Sequence, residues 1–95
     1  MNRGFNERLN MELDYLKSGN YSETLPDGTP VRELHCTATA IDLLHVPTTA
    51  LRIVVDQRGK LYSQGIEFGA DYKIRPIDSF KPESREEMRR AFPIV

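Results

Sequence analysis

The chain predicts an α+β fold: an N-terminal amphipathic helix, a mainly antiparallel β-sheet with a central hairpin at about residues 50–64, and a short C-terminal helix. Three observations carry that class. Phe5, Leu9, Leu13 and Leu16 recur at helical spacing, which draws one apolar stripe. Two β-rich runs, Ala50–Asp56 and Lys60–Gln64, flank the short segment Gln57-Arg58-Gly59. Ser84 followed three residues later by Glu87 has the form of a capping box, and Met88 and Phe92 lie four apart behind it.

The first helix is expected over about 4–18, because Gly19 can adopt the left-handed conformation that ends a helix and Lys17 complements the negative end of the dipole. Short strands are expected at about 21–25 and 30–36 around the turn Leu25-Pro26-Asp27-Gly28-Thr29-Pro30, with Pro26 presetting one dihedral and Gly28 supplying a positive φ. Pro30 suits a strand start or an edge. Residues 37–47 allow two readings. Thr39 with Asp42 resembles a capping box and favours a short helix closed before Pro47, while the β-branched content permits a continued strand.

The central hairpin is the most explicit element. A three-residue loop with Gly59 left-handed opposes Asp56 to Lys60, Val55 to Leu61, Val54 to Tyr62 and Arg52 to Gln64. Opposed residues share a face, so Leu51, Ile53, Val55 and Leu61 are expected inside, and Arg52, Val54, Asp56, Lys60, Tyr62 and Gln64 outside. A loop with two glycines, residues 65–71, leads into an alternating strand at 72–77 with Tyr72 and Ile74 inward and Lys73 and Arg75 outward. The last helix starts near Pro82 or Ser84, carries the favourable Glu86 to Arg90 spacing and ends at Pro93.

Ninety-five residues with 39% apolar and 28% charged content fit one small domain with a single core. So small a core leaves stability modest, and a homo-oligomer would bury more surface. The formal net charge of -1 lacks the global positive field of a non-specific nucleic-acid binder, although residues 46–95 hold nine Lys/Arg against seven Asp/Glu. The single cysteine, Cys36, has no internal disulfide partner and the N-terminal residues hold no signal-like apolar run, so a cytoplasmic location is expected. No run approaches the roughly 18 apolar residues of a membrane span.

Chemistry could sit in three places. On the outer sheet face, Arg52, Lys60, Tyr62, Lys73 and Arg75 come from successive strands, and cations around one aromatic ring can hold a phosphate while the ring stacks on a base. A solvated sheet face is the competing account, with Asp56 neutralising part of it. The second place is His35, Cys36, Asp42 and His45, which includes every histidine and cysteine of the chain. It has no spacing known for zinc or for a nucleophile and base, so a buried structural cysteine with two ordinary histidines is the reading, without metal or cofactor. Third, the 65–71 loop could expose Ile66 or Phe68 to a partner.

The sequence therefore favours a small non-catalytic accessory or inhibitor protein that binds a partner protein, with Arg52, Lys60, Tyr62, Phe68, Lys73 and Arg75 as contact residues. Two alternatives stand beside it. One is a nucleotide or other anionic small-ligand binder using the basic and aromatic sheet face. The other is a small ribonuclease-like enzyme with His35 or His45 as general acid or base.

Overall fold

The computed structural model describes residues 3–69, 71 and 73–91. Helix α1 (Arg3–Lys17) leads to six strands, β1 (Glu23–Thr24), β2 (Pro30–Ile41), β3 (Pro47–Asp56), β4 (Leu61–Phe68), β5 (Ile74–Pro76) and β6 (Lys81–Glu83), and a last helix α2 (Arg85–Ala91) follows. The strands form one antiparallel sheet in the order β1-β2-β3-β4-β5, with β6 also on β4. The α+β class and the central hairpin are as the sequence predicts. The β3–β4 register is also the expected one, with Val55 opposite Leu61, Val54 opposite Tyr62 and Arg52 opposite Gln64.

Helix α1 forms because its apolar residues fall on one side and its end is capped by the backbone, with Asn20 N–H donating to Tyr15 O at 2.9 Å and Gly19 N–H to Leu16 O at 3.0 Å. That side packs on one sheet face. Phe5, Leu9 and Leu16 meet Leu34, Ile53, Val55 and Leu61 in a buried cluster that α2 closes with Met88. Glu12 lies buried on the same helix. Its carboxylate accepts from Arg32 Nε at 2.6 Å, and the Arg32 guanidinium also donates to Asn20 O at 2.9 Å and stacks 4.4 Å above the Tyr15 ring centroid. One arginine thus ties β2 to the C-terminal half of α1.

Where the fold departs from expectation, long-range contacts decide. The face expected outside is a second core: Val54 is fully buried against Leu25 and Val31, with Tyr62 and Phe80 packed around them. Phe80 reaches there because β5 and β6 lie along the same edge of β4 and the four residues 77–80 between them bulge outward, anchored by Asp78, whose carboxylate accepts from Gly65 N–H at 3.0 Å. Residues 37–41 are strand and not helix; β2 runs on to Ile41, and the β-branched Thr37, Thr39 and Ile41 suit that state. The last helix begins after Ser84, whose Oγ accepts from Glu87 N–H at 3.4 Å, while Pro82 lies in β6. Ile74 is exposed, where an inward position was expected, and the expectations for Tyr72, Phe92 and Pro93 fall outside the described residues.

Three hairpins share one turn. In each, a first residue accepts from the N–H three positions on and donates to the C=O four positions on: Leu25 with Gly28 and Thr29, Asp42 with His45 and Val46, and Asp56 with Gly59 and Lys60, all at 2.9–3.0 Å. The fourth residue of each has positive φ, 91° at Gly28, 82° at Gly59 and 61° at His45. His45 is the single non-glycine with positive φ among the described residues.

Candidate functional site

The turn that joins β2 to β3 presents the most exposed apolar side chains among the described residues. Leu43 is 99% and Leu44 82% accessible, and Ile41 at the end of β2 is 58% accessible. Isolated exposed apolar residues are ordinary, but these three lie within four positions at the end of one hairpin. The tip is held in shape and not loose. Asp42 Oδ1 accepts from Leu44 N–H at 2.8 Å and from Val46 N–H at 2.9 Å, as Asp56 Oδ1 accepts from Arg58 and Lys60 N–H at 2.9 and 3.0 Å in the central hairpin.

Beside the tip, Leu44, Val46, Pro47, Thr48 and Phe68 line an open groove of about 290 Å³. Phe68, expected as a partner contact, lines this groove with Leu44, whereas Ile66, expected exposed beside it, lies in β4 and is buried. Ile74 stands opposite Phe68 on β5 and is itself more than half exposed. The result is an apolar tip, its turn capped by Asp42, with an open groove at its side that Asp42 and Gly69 also line. Such a surface can bury carbon against another macromolecule; it has no set of polar groups converging on one point, as a small polar ligand would require.

The basic face expected from the sequence does not assemble. Arg52 is only 13% exposed in its side chain and is ion-paired with Glu23 and, at 3.4 Å, with Glu33. Tyr62 shares its face but is half-buried, donating its hydroxyl to Asp56 at 3.2 Å, and Lys60 sits 5.5 Å from the Tyr62 ring centroid. Arg75 stands opposite Glu67, which puts it on the other face, and its guanidinium lies 3.5 Å from Asp71. Lys73 is exposed in the segment before β5, outside the ladder. Burial against the sheet, followed by the Asp56 carboxylate, pushes the Tyr62 hydroxyl above its ordinary pKa.

The histidines and cysteine are also dispersed. His35 is half-buried, with Nε2 2.6 Å from Thr37 Oγ1, whereas His45 is at the exposed tip. Cys36 is exposed and not a buried structural cysteine, because both faces of β2 are uncovered from there to Ile41. Partial desolvation and the nearby Glu33 charge push its thiol up, away from the thiolate form that a nucleophile uses. Among the described residues no three His, Cys, Asp or Glu side chains come together in a way that could hold a metal ion. A second hollow of about 230 Å³, between α1 and β2, is lined by Arg8, Glu12, Glu23, Arg32 and Glu33; Arg8 and Arg32 pair with Glu12, and Glu23 and Glu33 pair with Arg52.

The residues that sequence reasoning missed are Ile41, Leu43 and Leu44. A signal was present: Asp42-Leu43-Leu44-His45-Val46 repeats the spacing of Asp56-Gln57-Arg58-Gly59-Lys60, with histidine where the second has glycine. Compared with family models, curated proteins and solved structures, the chain matches none. No helix among the described residues is long and apolar enough to cross a membrane.

Proposed function

We propose that this protein is a non-catalytic accessory or inhibitor protein that acts by seating the β2–β3 tip on a partner protein. The observation that carries the reading is the exposure of Leu43 and Leu44 at 99% and 82% on a turn rigidly fixed by Asp42. Rigid presentation lowers the ordering cost of binding, and two leucines entering a pocket are a reasonable anchor pair. The turn also keeps His45 in a conformation that glycine adopts at lower cost, as it does in the other two hairpins. A histidine kept there against local stability supports a contact role for its ring. Ile41, Phe68 and Ile74 extend the surface, while Arg52, Tyr62 and Arg75 are assigned to the architecture. The single cysteine supports placing this action in the cytoplasm.

Affinity capture tests this directly. Immobilised wild-type protein is expected to retain a specific partner from a lysate of its source, Leu43→Ser/Leu44→Ser is expected to lose it, and Lys73→Ala/Arg75→Ala is expected to keep it. Equal retention by the Leu43→Ser/Leu44→Ser protein would remove the tip from the interface.

A further inference from the structure

The geometry points to a second role for β2: its outer edge pairs with the same edge of a second copy, joining two sheets across a two-fold axis near Thr37. β1 covers this edge only at Pro30 and Val31, and β3 occupies the opposite edge as far as Ile41. From Arg32 to Ile41 no described strand lies on the outer side. A long strand edge of this kind is a template for another strand, and proteins that stay monomeric blunt it with charge, proline, β-bulges or a covering element. Here the stretch Leu34–Ile41 has no Lys, Arg, Asp, Glu or Pro, and Cys36–Ile41 is exposed on both faces.

The edge fits itself. With the two-fold axis perpendicular to the sheet at Thr37, Glu33–Ile41 of one copy runs antiparallel to Ile41–Glu33 of the other. This fills the open edge and stops short of β1 at one end and of the Asp42 turn at the other. Thr37 then faces Thr37, a favourable cross-strand pair, Cys36 faces Ala38, and no charge meets its own kind. β2 has three register shifts against β3, between Glu33 and His35, Ala38 and Ala40, and Ala40 and Ile41, and the uninterrupted stretch His35–Ala38 holds the axis. Pairing uses the backbone edge and ends before the Asp42 turn, so each Leu43–Leu44 tip lies past the ladder, near the other copy's β1.

Sedimentation equilibrium of the purified chain over about 10–500 µM is expected to show a monomer–dimer equilibrium, with Kd raised about tenfold or more by Thr37→Lys and by Ala38→Lys. Both side chains are exposed, so at a chain concentration well below the wild-type Kd the far-UV circular dichroism and the urea midpoint are expected to match wild type. A short bismaleimide is expected to link the two copies through Cys36, since diagonal cross-strand neighbours lie about 7–8 Å apart. A monomer throughout the range, or a dimer indifferent to both substitutions, would overturn the inference. Monomeric wild type that takes a foreign strand along β2 would also overturn the second copy as its occupant.

Discussion

His45 offers a measurement in which the molecule supplies its own control. The turns at Asp42 and Asp56 make the same pair of backbone hydrogen bonds and the same pair of side-chain caps, yet one places histidine and the other glycine at the left-handed position. An L-residue there costs about 1–2 kcal/mol through the approach of Cβ to its own carbonyl. Glycine recovers that cost but loses about 0.5–1 kcal/mol of extra chain entropy on folding. His45→Gly is therefore expected to stabilise the protein by about 0.5–1 kcal/mol, or roughly 2–8 °C in Tm for a domain of this size. Gly59→His is expected to move stability down by a similar amount. A Cβ built at Gly59 meets nothing within 4 Å, so the loss is conformational and not steric with neighbours. Urea denaturation of both variants and the wild type, at a common m-value, reads the two differences. If His45→Gly is destabilising while Gly59→His is neutral, the equivalence of the turns and the strain assigned to His45 are wrong.

Three more outcomes follow from the packing. Val54→Ala removes two buried methyl groups from the second core and is expected to cost about 1.5–2 kcal/mol in a urea titration, whereas Leu43→Ala at the tip is expected to leave the midpoint unchanged. Arg32→Met leaves the buried Glu12 carboxylate with only Arg8 at 3.7 Å and is expected to cost about 2–4 kcal/mol, much of it recovered in Glu12→Leu/Arg32→Met; equal losses in the single and double variants would show that the pair is not the cause. The raised pKa of Tyr62 means that the folded state favours the protonated phenol. Its contribution is full below the unfolded value near 10 and is lost as pH rises through the higher folded value, so stability is expected to fall in that alkaline window and to fall less in Tyr62→Phe.

Much of the local structure was legible. The stripe of Phe5, Leu9 and Leu16 needs only a period of 3.6, and the β3–β4 register follows from Gly59 and a three-residue loop, because a short loop leaves few ways to pair the strands it joins. The Asp42 turn was legible in principle and was missed because histidine stood in place of glycine. Ser84 as a cap and Met88 as a core residue were within reach of spacing alone.

What the sequence by itself determined is the set of local conformations: the amphipathic helix, the turns fixed by Asp, Pro and Gly, and the alternation of faces along each strand. What only the tertiary structure decided is the use of those faces. Val54 is buried because Leu25 and Phe80 arrive from distant segments, Arg52 is neutralised because Glu23 and Glu33 lie beside it in the assembled sheet, and Arg75 changes sides because its pairing with Glu67 is set across a loop of free length. The same holds for the tip. Leu43 and Leu44 would pass for core residues by composition, and they stay in solvent because no other element among the described residues covers the end of that hairpin. Alternation and turn chemistry act over a few residues through sterics and hydrogen bonds, whereas burial is a sum over neighbours that only the folded chain brings together.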